Sequence, residues 1–210
     1  AMKSTVIYNH ISNCFSRFSG LHENMIRKII LMIIFLTSFF GTAIDSEAQG
    51  FIWAKSIGSS NDEYGQSLKV DAFGNVYTTG AFREAVDFDP GSGTYNISSA
   101  GQEDIFICKL DAFGNFVWAK SIGSTGYDGC NGIEFDAAGN IFLTGYYSGT
   151  VDFDPGAGTY NLTSNGSDDI FVCKLNSQGD FIWAKSIGGT TGVQVYGMAI
   201  DEGGDAIITG

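Results

Sequence analysis

Most of the chain repeats one sequence unit of 65 residues without a gap. The octapeptide FIWAKSIG at residues 51–58 returns as FVWAKSIG at residues 116–123 and as FIWAKSIG at residues 181–188. Aligned over their full length, residues 51–115 and residues 116–180 share 33 identical pairs out of 65. A regular repeat of this length indicates that each unit is one structural module that buries its apolar surface against its neighbours. The fold is therefore a stack or a ring of similar modules.

Each unit contains the turn Asp-x-x-Gly-Asn, or a close variant, twice. The copies begin at Asp71, Asp111, Asp136, Asn176 and Asp201. Glycine tolerates a positive φ angle and the leading Asp or Asn can bind the backbone of the turn, so each copy predicts a tight hairpin. The flanking residues alternate between apolar and polar, as β-strands do. Two hairpins per unit then give four strands.

The first complete set of strands is predicted at residues 66–70, 75–82, 104–110 and 115–121. Two joined hairpins make a four-stranded antiparallel sheet. Such sheets stack radially in a β-propeller, where neighbouring blades cover both faces of each blade and the circle removes long exposed edges. We therefore expect an all-β fold, a β-propeller of 65-residue four-stranded antiparallel blades. We expect the chain to be a fragment of about two and a half blades, preceded by a helical signal segment.

Residues 51–57 read as a lone fourth strand with no preceding three. In a propeller such a strand can complete the last blade and close the ring, which favours a propeller over an open solenoid. The recurring large aromatic residues are assigned to the packing between blades, since burial is their usual role. They are Trp53, Trp118, Trp183, Phe106 and Phe171.

The N-terminal part, outside the repeat, carries the pattern of an export signal. Residues 25–48 join a short basic stretch to the apolar run 29–40 and end in small residues, which predicts a signal peptide cleaved near Ala48. The alternative is a single membrane anchor, but the apolar run has 12 residues, whereas a spanning helix needs roughly 20. Residues 1–24 are expected to be an extension from a non-native or mis-assigned start. Residues 49–210 would then be secreted or displayed at the cell surface.

The β-propeller region, with repeat units 51–115, 116–180 and 181–210, is acidic and lacks histidine. Residues 49–210 carry 11 − 4 = 7 basic and 23 − 3 = 20 acidic side chains, a net charge of −13. Nucleic acid and anionic lipid are bound by clustered Lys and Arg, so we expect neither as a partner, nor stable membrane insertion after signal cleavage. The lack of histidine excludes Ser-His-Asp catalysis and histidine-ligated zinc from this region.

Two of the cysteines recur at one repeat position. Cys108 and Cys173 each lie in the motif Asp-Ile-Phe-(Ile/Val)-Cys-Lys-Leu. Equivalent positions in neighbouring units point the same way, which disfavours a bridge between them. Buried free thiols are therefore expected.

Three motifs in the second unit are more specific than a general β pattern. They are DAAGNIFLTG at residues 136–145, GTVDFDPG at residues 149–156, and DIFVCKL at residues 169–175 followed by FIWAK at residues 181–185. With these motifs the chain resembles the bacterial SBBP-type β-propeller repeats over residues 51–210. The resemblance implies a secreted or surface protein of Bacteroidetes-like bacteria, and it implies no agreed enzymatic activity.

The strand order places the short turns at one end of each blade and the long connections at the other, where binding sites on rigid scaffolds usually develop. The motif Val-Asp-Phe-Asp-Pro-Gly recurs in these long connections. Its carboxylates are Asp87, Asp89, Asp152 and Asp154. Hard oxygen ligands two residues apart suggest a Ca²⁺ site, although the chain lacks the Asp-x-Asp-x-Asp-Gly loop. The alternative is that Asp-Pro-Gly is the turn of a small extra hairpin, pairing residues 86–88 with 94–97.

The function predicted from these observations is a secreted, non-enzymatic β-propeller. It would act as a binding or structural module at the cell surface and present its long loops to a protein or a glycan. No catalytic or cofactor-binding residue is predicted, apart from the possible Ca²⁺ ligands. The alternative is an extracellular carbohydrate-active hydrolase whose catalytic residues lie outside this chain. Glycoside hydrolysis needs two carboxylates in unequal environments, and the repeated Asp pairs occupy equivalent ones.

Overall fold

The computed structural model describes residues 53–60 and 62–210, and every regular element in this part is a β-strand. The N-terminal extension and the helical signal segment predicted within residues 1–48 lie outside the described residues. No helix in the described part has the length and hydropathy to cross a membrane. The strands are β1 (Glu63–Val70), β2 (Val76–Phe82), β3 (Ala85–Asp87), β4 (Asn96–Ser98), β5 (Asp104–Leu110), β6 (Phe116–Ile122), β7 (Gly129–Phe135), β8 (Ile141–Tyr147), β9 (Thr150–Asp152), β10 (Asn161–Thr163), β11 (Asp169–Leu175), β12 (Phe181–Ile187), β13 (Gly197–Ile200) and β14 (Ala206–Thr209).

The first blade is a four-stranded antiparallel sheet in the order β1-β2-β5-β6. Glu63 lies opposite Phe82 in the β1–β2 pair, and Val76 lies opposite Leu110 in the β2–β5 pair. The four strands expected from the turn pattern are confirmed, with β1 beginning at Glu63 rather than at residue 66.

The second blade repeats this topology with β7, β8, β11 and β12. An irregularity in the first strand of each blade also recurs. The register shifts between Gly65 and Ser67 in β1 and between Cys130 and Gly132 in β7. Strands β13 and β14 form a further antiparallel hairpin that corresponds to the start of a third blade. The described part of the chain is therefore all-β and built from propeller blades, as the repeat predicts.

The short turns are held by the side-chain oxygen of their leading Asp or Asn. One oxygen of Asp111 accepts the backbone N–H groups of Phe113 and Asn115, both at 2.8 Å, and the other accepts the Asn115 amide at 2.9 Å. The backbone and side-chain hydrogen bonds from Asn115 hold the pKa of Asp111 below its ordinary value. Gly114 has a φ angle of 78°, a left-handed conformation that glycine adopts without strain. The turn signature thus fixes both hairpins of each blade.

The two blades pack face to face over one apolar core. Tyr77, Ile105 and Ile107 from the first blade meet Ile133 and Phe171 from the second. All five side chains are at least nine-tenths buried. Apolar burial of this extent is the main stabilising contribution to a stack of sheets.

The recurring cysteines and aromatic residues lie largely where the repeat predicts. Cys108 and Cys173 are buried free thiols, as expected from their equivalent positions. Phe171 is buried in the core between the blades and Trp118 packs at its margin. Phe106 is buried in a separate cluster of the first blade. Burial raises the pKa of the Cys108 thiol to about 12, so the group is neutral and behaves as a small apolar side chain.

The segment that precedes the first blade occupies a position equivalent to an outer strand. A Cβ atom on Gly179 would lie 3.1 Å from the ring of Trp118 in β6, and a Cβ atom on Gly114 would lie 2.9 Å from the ring of Trp53. The Trp53 indole N–H also donates to the Ala112 carbonyl oxygen at 3.0 Å. The strand predicted at residues 51–57 is not formed over residues 53–57. Trp53 nevertheless contacts the first blade as Trp118 contacts the second.

Candidate functional site

The long connections gather at one end of the blades, opposite the short Asp-x-x-Gly-Asn turns. An antiparallel order β1-β2-β5-β6 brings the β1–β2 and β5–β6 turns to one end and the β2–β5 connection to the other. The β2–β5 connection contains the hairpin β3–β4, and its counterpart in the second blade contains β9–β10. We call this the long-loop end.

The repeated Asp pairs at this end hold the small hairpins. One oxygen of Asp87 accepts the backbone N–H groups of Asp89 at 3.0 Å and Tyr95 at 2.8 Å, and one oxygen of Asp89 accepts that of Gly91 at 2.8 Å. The intervening Phe88 is buried in the blade core. The hairpin expected from Asp-Pro-Gly is therefore present, with Val86 opposite Ile97.

The second copy has the same geometry. Asp152 accepts the backbone N–H groups of Asp154 at 3.1 Å and Tyr160 at 2.7 Å, and Asp154 accepts that of Gly156 at 2.8 Å. Within the described ranges, no group of three or more His, Cys, Asp or Glu side chains is placed to hold a metal ion. Each Asp pair would need backbone oxygens to complete a Ca²⁺ site. The calcium hypothesis stays a prediction.

Asp128 fastens the loop that joins the two blades. One of its oxygens accepts the Ser124 backbone N–H at 2.7 Å and the Ser124 hydroxyl at 3.0 Å, and the other accepts the Ser148 backbone N–H at 3.0 Å. The backbone of the same loop binds the first blade, since the Asp128 N–H donates to the Glu103 carbonyl oxygen at 2.9 Å. Burial raises the pKa of Asp128. These bonds hold the connection rigidly against both blades.

Each blade has a buried carboxylate beside the glycine that follows its last strand, Asp104 beside Gly123 and Asp169 beside Gly188. Asp104 accepts the Ala100 backbone N–H at 2.9 Å through one oxygen, and its other oxygen is buried with no hydrogen-bond partner. Asp169 likewise has one buried oxygen without a partner. Burial raises the pKa of Asp104 to about 6. The Asp104 carboxyl lies against the Cα atom of Gly123, where any larger residue would clash.

An ion pair and a tyrosine connect the first blade to the second at the long-loop end. The Arg83 guanidinium donates to Glu103 at 2.9 Å from Nε and at 2.5 Å from its terminal nitrogen. The side chain of Tyr146 in β8 lies near the same carboxylate. Burial, and then the neighbouring Glu103 carboxylate, raises the pKa of Tyr146, so the hydroxyl stays protonated. The charge of Glu103 is thereby satisfied within the molecule.

A cleft of about 380 Å³ opens beside Tyr146, between the second blade and the start of the third. It is lined by Asn131, Tyr146 and Asp168 and by residues 193–196. The Tyr196 hydroxyl donates to the Gln194 side-chain oxygen at 2.8 Å. A cleft of this size can enclose a small molecule or one or two side chains of a partner, because ligand pockets span roughly 300–1,000 Å³. We call it the Tyr146 cleft.

The sequence predicted a binding site at this end of the molecule, but it suggested residues other than those that line the Tyr146 cleft. The four Asp residues suggested as Ca²⁺ ligands lie in the small hairpins and do not line the cleft. The Arg83 to Glu103 pair had no local signal, because the two residues are far apart in the chain. Asp128 did have a local sequence signal, since the spacing of Ser124 and Asp128 matches that of Ser59 and Glu63 in the first unit.

Comparisons with known proteins place the chain among repeat proteins. It is 28% identical over 188 residues to an uncharacterised WD repeat-containing protein of Acanthamoeba polyphaga mimivirus, with 76% of this chain and 13% of that protein covered. The chain is a repeat protein of propeller-like blades. It is also 26% identical over 141 residues to the regulatory protein FlaEY of Caulobacter vibrioides, with 66% of this chain and 14% of that protein covered. No protein-family model matches the chain.

The chain therefore spans about one seventh of the length of these curated relatives. The similarity to a WD repeat-containing protein agrees with the all-β blades of the structure. Propeller blades form rigid platforms whose loops carry the binding residues.

Proposed function

We propose that this chain belongs to a secreted, non-enzymatic β-propeller that binds a protein partner through its long-loop end. The observation that carries the proposal is the rigid fixation of that end beside an open cleft. Asp128 binds the connecting loop to both blades, while the Tyr146 cleft remains open to solvent. Preformed surfaces lose little conformational entropy on binding, which favours recognition.

The similarity to WD repeat-containing and regulatory proteins supports a repeat-based interaction module. Export is proposed from the pattern of residues 25–48, with cleavage near Ala48. The motifs at residues 136–145 and 149–156 support a relation to SBBP-type surface repeats.

Site-specific photo-crosslinking tests the binding end. A photoreactive amino acid is placed at Asn131 in the long-loop end, and a matched control is placed at Ala138 in a short turn; both positions are exposed. We expect a discrete crosslinked protein in the source cell from position 131 and none from position 138. No crosslink from position 131, or equal crosslinks from both positions, would contradict the proposed binding end.

Export is tested separately by expressing the full chain in a Gram-negative host and determining the N-terminus of the product by mass spectrometry. We expect a product in the periplasm that begins just after Ala48. An uncleaved chain in the cytoplasm would refute secretion and would leave the choice of binding end unaffected.

A further inference from the structure

The two blades differ at one charged position of the long-loop end. In the first blade Arg83 pairs with Glu103. The residues at the same repeat positions in the second blade are Ser148 and Asp168. The carboxylate is thus kept and the arginine is lost. No salt bridge found among the described residues includes Asp168.

The side chain of Ser148 cannot replace the missing cation. Its hydroxyl accepts the backbone N–H of Tyr127 at 3.0 Å and lies 3.2 Å from the Tyr127 carbonyl oxygen. These bonds keep the short side chain in the connecting loop. The half-buried Asp168 carboxylate is left to line the Tyr146 cleft without a positive charge from its own blade.

The other groups of the cleft suit a planar cation. Asn131 and Gln194 carry side-chain carbonyl oxygens, which accept hydrogen bonds, and Tyr146 and Tyr196 carry aromatic rings. A guanidinium group donates several hydrogen bonds in a plane and stacks on aromatic faces. The net charge of −13 on residues 49–210 also draws basic partners toward the molecule.

We infer that the Tyr146 cleft binds an arginine side chain of the protein partner, which pairs with Asp168 as Arg83 pairs with Glu103 within the first blade. The inference rests on the proposed function, because it names the chemistry of the partner at the same end of the molecule. The intramolecular pair shows that this repeat position accommodates a guanidinium group beside the carboxylate.

The test is a titration of the full chain with Nα-acetyl-arginine amide, followed by NMR or calorimetry. Nα-acetyl-citrulline amide is the matched probe, since it has nearly the same shape and no charge. We expect the arginine probe to bind at least about 10-fold more tightly than the citrulline probe, since a charge-assisted bidentate pair is about twice as strong as neutral hydrogen bonds. Equal affinity for the two probes, or no binding of either, would overturn the inference.

Variants locate the binding. Asp168→Asn should weaken arginine binding about 10-fold, because it removes the charged acceptor. Asp205→Asn is the matched control, since it makes the same change in charge at an exposed position of a short turn. It should bind the arginine probe like the unmodified chain. Equal affinity of the two variants would place the arginine elsewhere and refute the site.

Ser148→Arg supplies the missing cation from within. If it folds, as judged by its melting curve, it should bind the arginine probe at least about 10-fold more weakly; unchanged binding would contradict the inference. If it does not fold, Asp168→Asn decides, because that change alters only one side-chain atom. Crosslinking from position 131 is independent of both probes. If crosslinking persists while selectivity for arginine is absent, the chemistry of the partner is wrong and the binding end stands.

Discussion

Alanine at the same repeat position of each blade separates the contribution of stacking from that of the sheet. Leu68 in β1 and Ile133 in β7 occupy matching places in their strands. Leu68 is 60% exposed, whereas Ile133 is 1% exposed because the first blade covers it. Leu68→Ala and Ile133→Ala therefore remove similar side chains from different surroundings.

The expected losses follow from these exposures. Truncating a fully buried Ile to Ala costs roughly 2–5 kcal/mol, since the side chain leaves a cavity. Full burial of an aliphatic side chain contributes roughly 1.5–3 kcal/mol, and with 60% of Leu68 exposed, Leu68→Ala should cost about 1 kcal/mol. At about 2–4 °C per kcal/mol for a domain of this size, a loss of about 3 kcal/mol for Ile133→Ala lowers the melting temperature by about 6–12 °C.

The assay is urea unfolding of the full chain, monitored by tryptophan fluorescence, with calorimetry for the melting temperature. Both variants should keep the urea dependence of the unmodified chain, so that the shift in midpoint reports stability. Equal losses in the two variants would refute the stacking, because Ile133 would then be no better covered than Leu68.

Three further predictions concern the carboxylates and a glycine. As the pH rises from 4 to 7, the Asp104→Asn variant should become more stable relative to the unmodified chain. The difference in the free energy of unfolding should grow by up to about 3 kcal/mol, from about 1.4 kcal/mol per pKa unit. Burial raises the Asp104 pKa from 3.8 to about 6, so the folded chain loses stability as pH rises through that window; urea titrations that show a constant difference at all pH values would contradict this. Gly123→Ala should lower the melting temperature, because its Cβ would overlap the Asp104 carboxyl. Gly65→Ala meets no atom within 4 Å and should be milder; the reverse order would contradict the close contact between Gly123 and Asp104. If Ca²⁺ binds at Asp87 or Asp152, a chelator should lower the melting temperature of the chain, and an unchanged melting curve would dismiss the metal.

The fold was predictable from the sequence because its signals are local and repeated. Each Asp-x-x-Gly-Asn turn depends on a carboxylate that binds its own backbone two and four residues onward, as Asp71 does with Phe73 and Asn75. The alternation of side chains between these turns fixes which face of each strand is apolar. The equivalence of Cys108 and Cys173 likewise predicted two buried thiols.

The site was predictable only as an end of the molecule. The Asp pairs suggested as metal ligands stand out in the sequence because they repeat, and the structure shows them binding hairpin backbone. The Tyr146 cleft depends instead on positions where the repeat changes, such as Ser148 in place of Arg83. A conspicuous repeat indicates what each blade needs for folding, so the functional differences lie among its substitutions.

The sequence by itself determined that the chain forms four-stranded blades with short turns at one end and long connections at the other. Hydrogen bonds within five consecutive residues and the two-residue period of a strand are sufficient for that. Only the tertiary structure decided that Ile133 is covered while Leu68 is exposed, that Arg83 neutralises Glu103, and that Asp168 has no such partner among the residues that the structure describes. These features depend on residues far apart in the chain, which meet between the blades at Ile133 and within the first blade at Arg83 and Glu103. Local patterns carry no information about such distances.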